Sequence, residues 1–283
     1  HDALPISISP HNCYKADFNS GKSGCPMDYG KIKGAIIVPA GEKLPAGFDG
    51  DDLREACHAD LPNRIYPVLL FVEYAKNGGE PQVSATGYGP NKVTGISAQT
   101  DTFTLDGVDY GLHAELLKSK NVKRDVYYFD EDGVIYGVND GTDVLAGIPM
   151  SCIYSTIIPH PTSGAEESLT VSFCHLDAEK SQQNYDFIDT DIRFEDVLIG
   201  LTPVELVKDG DNKYHIVEKV GGYDRTPEFG TIIAANAAAT VDGITAASYS
   251  NGALTLTVTQ GQTPALKAPS ALYAKGIEGI VEV

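Results

Sequence analysis

The side chains best suited to nucleophilic or acid–base chemistry lie apart along the chain. Ser151-Cys152 follows Gly147-Ile148-Pro149-Met150, which lacks the glycine spacing of a nucleophile elbow. Cys174 and His175 are adjacent in a predicted strand, where consecutive side chains point to opposite faces. Glu166-Glu167 lies in a predicted loop. The other histidines considered lack a neighbouring partner pattern: His58, His113, His160 and His215. We therefore assign no catalytic residue.

Three motifs resemble phosphate or calcium loops without completing them. Gly21-Lys22-Ser23 resembles the end of a phosphate loop, but the glycine required at position 16 is Ala16. The segments 130–133 and 209–212 are acidic and contain glycine, as calcium loops do, but their sixth positions are Ile135 and Tyr214 instead of glycine. Both acidic segments therefore predict tight hairpin turns, and no metal site or cofactor is expected.

The cysteines favour free thiols. There are five, no CxxC pair occurs, and a chain of 283 residues does not need covalent bridges to hold a core. A Cys13–Cys25 disulfide is the main alternative. Zinc ligation by Cys13, Cys25, Cys57 and His58 would require an irregular spacing.

Hydrophobic patterning and turn residues predict a mainly β fold, sandwich-like or barrel-like, with one or two short helices. Ile65–Tyr74 is the strongest strand, and its aliphatic density predicts burial on both faces. Helices are predicted after Asp49, ending before Pro62, and at Tyr110–Leu117. The other predicted strands include Ile32–Val38, Val83–Tyr88, Thr102–Leu105, Asp125–Phe129, Val134–Tyr136, Ile153–Ile158, Leu169–Cys174, Val204–Val207, Tyr214–Val217 and Ala253–Val258.

Charge and composition indicate two domains. Residues 201–283 contain 9 acidic and 6 basic residues, a net charge of −3, which leaves −15 of the total −18 for residues 1–200. We expect a β-rich domain over 1–200 and a small immunoglobulin-like β-sandwich over 201–283. Residues 1–7 read as a translated adapter and are excluded from the fold, and residues 8–30 read as an arm or loop.

The composition disfavours some classes of function. A net charge of −18 repels nucleic-acid phosphates and anionic membranes, so sequence-specific nucleic-acid binding is not expected. The sequence contains no run of 18 apolar residues, so no membrane span is predicted. The 15 tyrosines could form a sugar-binding platform, although tyrosines also serve in cores and interfaces.

Several short phrases occur in order along nearly the whole chain. They are Gly24-Cys25-Pro26, Lys33–Pro39 with Gly41, Ile65-Tyr66-Pro67 leading to Phe71-Val72, Gly87-Tyr88-Gly89, Leu145–Pro149, Ile199-Gly200-Leu201 and Ala268–Leu272. In this order they resemble virion structural proteins of phages and prophages of Bacteroidetes hosts, in particular tail-tube proteins.

The resemblance implies a non-enzymatic tail-tube subunit without cofactors, located in the virion and made in the host cytoplasm. It implies a tube domain over 1–200, self-assembly into stacked rings, contacts with other virion proteins, and DNA passing through without sequence-specific binding. Strands such as Ile65–Tyr74 would build the shared sheet, and segments such as Gly87–Gly95 would reach between subunits. Alternatives are another virion part (head decoration, neck ring or fibre), a bacterial cell-surface β-sandwich binding module, or a hydrolase with an unrecognised site.

Overall fold

The computed structural model describes residues 10–12, 21, 30–162 and 166–283, which form a mainly β chain with short helices, as the sequence predicts. Two compact units are present. The first contains the described residues up to Leu53 together with Tyr66–Val197, and the second contains Arg54–Ile65 and Leu198–Val283.

The elements up to residue 197 are strands joined by tight turns, with four short helices. They are β1 (Ile32–Pro39), α1 (Gly50–Cys57), β2 (Tyr66–Val68), β3 (Phe71–Gly78), β4 (Pro81–Ser84), β5 (Lys92–Ile96), β6 (Gln99–Leu105), α2 (Tyr110–Ser119), β7 (Arg124–Asp130), β8 (Val134–Val138), β9 (Ile148–Ser155), β10 (Leu169–His175), α3 (Ala178–Gln183), β11 (Tyr185–Asp189) and α4 (Phe194–Val197).

Strand β7 is the centre of the nine-stranded antiparallel sheet of the first unit. One of its edges pairs with β1 from Ile32↔Asp130 to Pro39↔Arg124. Its other edge pairs first with β9 and then with β8. The sheet continues from β9 through β10 and β6 to β3, while β11 pairs with β8 and β2 pairs with β1. The sheet therefore branches at β7, whose residues Val126–Asp130 are all buried.

The core of the first unit is built by alternate residues of these strands. Phe103 of β6, Tyr128 of β7 and Phe173 of β10 point to the same side and form a cluster of aromatic rings with Phe71 of β3. Phe71 and Phe103 are stacked with their ring centroids 4.3 Å apart. The packing of these rings therefore ties distant parts of the chain into one layer.

The predicted strand Ile65–Tyr74 is divided in the structure. It breaks between β2 and β3 at Leu70, which has a positive φ of 67°. The break allows the chain to leave β1, the partner of β2, and to pair with β6 instead. The expected burial on both faces is wrong, because Val72 and Tyr74 are exposed.

The elements of the second unit after residue 197 are strands and three helices. They are β12 (Thr202–Lys208), β13 (Lys213–Glu218), α5 (Thr226–Ala235), α6 (Ala237–Thr240), β14 (Val241–Asp242), β15 (Ile244–Ser250), β16 (Ala253–Val258), β17 (Ala265–Leu266), α7 (Pro269–Tyr273) and β18 (Ile280–Glu282).

The second unit contains a five-stranded sheet in the order β15-β16-β13-β12-β18, in which β12 and β18 are parallel. Helix α5 packs against β15 and β16, and its Phe229 and Ile233 enter the core with Leu254 and Leu256. An added Cβ at Gly230 would lie 2.4 Å from the Tyr249 ring, so the glycine permits this close approach.

Helix α5 is the main difference from the immunoglobulin-like arrangement expected for 201–283. In that arrangement two sheets face each other, whereas here a helix packs on the five-stranded sheet, and β14 and β17 form a separate two-stranded ribbon. The local signals for the helix are Pro227 in its first turn and the spacing of Phe229 and Ile233 by four residues. Because the region is nearly uncharged, it lacks the polar face that distinguishes an amphipathic helix.

The second unit also includes Arg54–Ile65, although the charge and composition predict that this segment belongs to the first domain. His58 joins this segment to the rest of its unit: Nδ1 donates to the Arg54 carbonyl at 2.7 Å, and Nε2 accepts from the Gly279 N–H at 2.9 Å. The imidazole stacks on Tyr273, and Ser270 Oγ donates to Asp60 at 2.7 Å. Apart from the bond between His58 and Arg54, these contacts join residues at least 210 positions apart, so no local pattern predicts them.

We expect Gly34→Ala to lower the free energy of unfolding by about 1–3 kcal/mol, as overpacking of a core does. The added Cβ would lie 2.3 Å from Phe129 Cζ and 2.7 Å from the Val68 carbonyl oxygen. Urea unfolding measures the change. Gly95→Ala is the matched control, because nothing lies within 4 Å of a Cβ built there. Equal stability of both variants would contradict the close packing of β1 against β7.

We expect His58→Ala to lower the free energy of unfolding of the second unit by about 2–3 kcal/mol, because it removes two hydrogen bonds and leaves a space beside Tyr273. Thermal unfolding followed by circular dichroism measures the loss. His160→Ala changes an exposed histidine and should leave the transition unchanged. An unaltered transition in His58→Ala would refute the anchoring role of this side chain.

Candidate assembly surface

An exposed arm projects from the first unit. We define the arm as residues 72–98, which comprise most of β3 and the hairpin of β4 and β5. Every residue of β4 is exposed, and all but one residue of β5 are exposed. The arm carries six large apolar side chains that are exposed: Val72, Tyr74, Val83, Tyr88, Val93 and Ile96. Several large apolar side chains exposed on one segment are a feature of surfaces that bind another protein.

The backbone of the arm also offers unpaired edges. β3 is the last strand in the order of the large sheet, so one of its edges has no partner strand within the described ranges. β4 and β5 form a two-stranded sheet of their own. Exposed strand edges present free N–H and C=O groups and can be completed by a strand from another chain.

The conformation of the hairpin is fixed at its base. Gly78 and Gly79 both have positive φ, and an added Cβ at Gly78 would overlap the Ala98 carbonyl oxygen. The Ser97 N–H donates to the Glu80 carbonyl at 3.0 Å, and the Glu80 N–H donates to Ser97 Oγ at 3.0 Å. The hairpin of β4 and β5 therefore leaves the end of β3 in a defined direction.

The arm is electrically neutral in a strongly acidic chain. Its acids, Glu73 and Glu80, are balanced by Lys76 and Lys92, while the whole chain carries −18. Two copies that meet through this region therefore avoid much of the repulsion expected between other acidic surfaces. Val83 and Val93 are directly opposite each other across the hairpin, so their side chains form one apolar spot.

A buried polar network anchors the arm to the interior. The hydroxyl of Tyr74 donates to Asp101 Oδ1 at 2.9 Å, although the Tyr74 residue is half exposed. Asp101 also accepts from Gln99 Nε2 at 3.0 Å and from the Tyr128 hydroxyl at 3.4 Å. Its Oδ2 lies 2.6 Å from Nε2 of His175. The network thus connects β3, β6, β7 and β10.

Electrostatics favours the ionised form of Asp101. Burial by itself raises the pKa of this carboxyl, but hydrogen bonds from His175, Gln99 and Tyr74, together with the charge of His175, outweigh burial and hold the pKa below its usual value. Burial and the neighbouring Asp101 carboxylate raise the pKa of Tyr74, so its hydroxyl remains a donor.

The Asp101–His175 pair has the composition of an acid–base pair but lies in the interior. The side chain of Asp101 is 6% exposed and that of His175 is 2% exposed, and His175 Nδ1 is buried without a hydrogen-bond partner. Because the two residues are 74 positions apart and meet only through strand pairing, no sequence motif could have identified them.

The other residues considered from the sequence are dispersed. Cys174 is half buried while His175 is buried, as strand alternation predicts. Three of the other side chains have a polar partner outside any catalytic grouping. His113 Nδ1 lies 2.7 Å from Ser155 Oγ, His215 Nδ1 lies 2.9 Å from Asp224 Oδ2, and Glu167 accepts from the Tyr110 hydroxyl at 2.9 Å.

The two acidic segments are hairpin turns in the structure. Asp130 Oδ1 accepts from the backbone N–H groups of Asp132 and Val134, and its Oδ2 accepts from the Tyr136 hydroxyl at 2.6 Å. The Asp209 N–H donates to the Lys213 carbonyl at 2.8 Å. Within the described ranges, no group of three or more His, Cys, Asp or Glu residues could hold a metal ion. Cys13, Cys25 and most of Gly21-Lys22-Ser23 lie outside those ranges.

Comparisons with known proteins provide no family for the chain. No protein-family model matches it, and a search of the curated proteins finds no match. Among the helices of the described residues, none combines the length and apolar character needed to cross a membrane.

We expect Asp101→Asn to lower the free energy of unfolding by about 2 kcal/mol at neutral pH, because it removes a charged hydrogen-bond acceptor from the network. The folded-state pKa of Asp101 lies below the ordinary value of about 3.9, so its contribution is complete above that value and is lost as the pH falls through the folded-state pKa. Urea unfolding between about pH 2 and 7 measures both effects.

Asp106→Asn is the control, since Asp106 is exposed in the turn that follows β6. The parent and this control should lose stability on acidification more steeply than Asp101→Asn does. If all three proteins have the same dependence on pH, ionised Asp101 does not stabilise the fold.

Proposed function

We propose that this chain is a non-enzymatic structural subunit that assembles with copies of itself through the arm, and that the assembly is a bacteriophage tail tube. The observation that carries the proposal is the arm itself, which exposes six large apolar side chains, has no net charge and has unpaired strand edges. These properties match what a neighbouring subunit would cover.

A second copy is the partner that the charges favour. Contact between copies through other surfaces would bring acidic groups together. In the arm, by contrast, the number of acidic residues equals the number of basic residues, so two arms can meet without a net repulsion. Full burial of a side chain such as Val83, Val93 or Ile96 would contribute roughly 1.5–3 kcal/mol, before the costs of association are subtracted. Added strand pairing would give the contact a defined register.

The virion role rests on the ordered phrases of the sequence and agrees with the acidic charge. In a tail tube, rings of subunits stack around a channel, and negative walls would let DNA pass without binding. The partners would be copies of the chain, other virion proteins and passing DNA, and the location would be the virion. Another virion part, such as a head decoration, a neck ring or a fibre, would use the same arm in a different symmetry.

A binding module on a bacterial cell surface is the second candidate, favoured by a groove in the second unit. The groove has a volume of about 500 Å³ and includes Leu61, Asp60 and Tyr273 in its lining. An exposed leucine beside an aromatic ring and a carboxylate could bind a small ligand.

We expect the purified chain to form rings or tubes with a central hole, seen by negative-stain electron microscopy, and to sediment as an oligomer. Val83→Lys/Val93→Lys should keep the circular-dichroism spectrum of the parent but sediment as a monomer without rings. The substitutions place two charges on the apolar spot of the hairpin, which would be desolvated in a subunit contact.

Val220→Lys is the matched control, since Val220 is 57% exposed, Val83 56% and Val93 66%. It should assemble as the parent does. A parent chain that remains monomeric at high concentration would rule out the tube and favour the binding module. Normal assembly of the double variant would rule out the arm as the contact. Closed oligomers without a channel would favour another virion part.

A further inference from the structure

Two cysteines are direct neighbours across the sheet of the first unit. Cys152 of β9 lies opposite Cys174 of β10 in the antiparallel register. Opposed residues in such a ladder have Cα atoms about 4.5–5.5 Å apart, and a disulfide requires a separation of about 4.4–6.8 Å. The backbone therefore already has the spacing that a disulfide needs.

Both side chains point to the same face of the sheet. Their neighbours Ile153 and Phe173 are buried in the core, so strand alternation places Cys152 and Cys174 on the opposite face, where both are half buried. The Cys152 thiol is close enough to Cys174 to raise the pKa of its thiol. Thr100 Oγ1 donates to Cys174 Sγ at 3.7 Å.

The pair differs from the other described cysteine, Cys57, although all three are free thiols in this structure. Cys57 is 1% exposed in the second unit, and burial raises the pKa of its thiol to about 11. The partial exposure of Cys152 and Cys174 gives a small reagent access that Cys57 lacks.

We propose that Cys152 and Cys174 are a latent intrachain disulfide that closes when the protein meets a low-molecular-weight disulfide. The thiolate of one cysteine attacks the reagent, forms a mixed disulfide and releases one small thiol. The sulfur of the second cysteine then attacks the mixed disulfide, forms the Cys152–Cys174 bond and releases the second small thiol. The protein loses two hydrogen atoms and is oxidised, while the reagent is reduced to two thiols.

The environment of the pair determines the rate and the effect of closure. Burial, and then the neighbouring Cys152 thiol, raise the pKa of Cys174 to about 11, so its thiolate is scarce at neutral pH and closure should accelerate at alkaline pH. The closed bond would join β9 to β10 and restrict the unfolded chain, which should raise the melting temperature by several degrees. The inference is independent of the proposed function, because both thiols belong to one chain.

Peptide mass spectrometry under non-reducing conditions tests the bond directly. The folded protein is incubated with glutathione disulfide at about pH 7 and about pH 9 and is then alkylated, since exchange requires the thiolate. No lysine or arginine occurs between Arg124 and Lys180, so one tryptic peptide, 125–180, contains both cysteines. We expect this peptide to escape alkylation and to weigh two hydrogen atoms less than its reduced form. Chymotryptic pieces that contain Cys152 and Cys174 should remain joined until a reductant is added.

The background variant Cys13→Ser/Cys25→Ser removes the two cysteines outside the described residues and should give the same bond. Cys152→Ser is the matched control: its Cys174 should carry only the mixed disulfide with glutathione, and oxidation should not raise its melting temperature. Alkylation of both Cys152 and Cys174 after treatment at about pH 9 would overturn the proposal. A bond from either residue to any other cysteine would overturn it as well.

Discussion

The first unit depends on the position of β7, which pairs along both edges and is buried along most of its length. A strand in this position has no freedom to shift, because a slip of one residue would turn its core side chains to the other face. Gly34 allows β1 to approach it closely, since an added Cβ there would meet Phe129. The alternate residues of β7 supply two packing layers: Tyr128 contacts the aromatic cluster with Phe103 and Phe173, and Phe129 stacks on Phe194.

Strand β7, which is paired along both edges, contrasts with the open end of the same sheet. The sheet finishes at β3, where the chain exposes apolar side chains and a strand edge in the arm. Tyr74 joins these two regions, because its residue is half exposed while its hydroxyl binds buried Asp101. A contact made on the arm is therefore coupled through one hydrogen bond to the Asp101–His175 pair in the interior. These hydrogen bonds fix the position of Tyr74 at the base of the arm, which would favour a defined contact in the proposed assembly.

The distribution of charge favours the arm as the contact surface in the proposed assembly. A chain with a net charge of −18 disfavours contact between most of its surfaces and other copies, but the arm has equal numbers of acidic and basic residues. Apolar burial and strand pairing can therefore act at the arm without strong opposition. The same acidic excess would keep DNA from binding to the walls of a channel. In the proposed tail tube, one property of the composition would thus both select the contact and let DNA pass.

Local sequence determined the β-rich character and many of the strands. Ile32–Val38 lies within β1 and Asp125–Phe129 lies within β7, because alternation, β-branched residues and turn residues act over a few positions. The division of Ile65–Tyr74 at Leu70, the transfer of 54–65 to the second unit and the packing of α5 on a sheet were decided by tertiary structure. The same holds for the Asp101–His175 and Cys152–Cys174 pairs. The physical reason is that a local pattern fixes which face a side chain occupies, whereas its neighbour on that face depends on which distant strand pairs beside it.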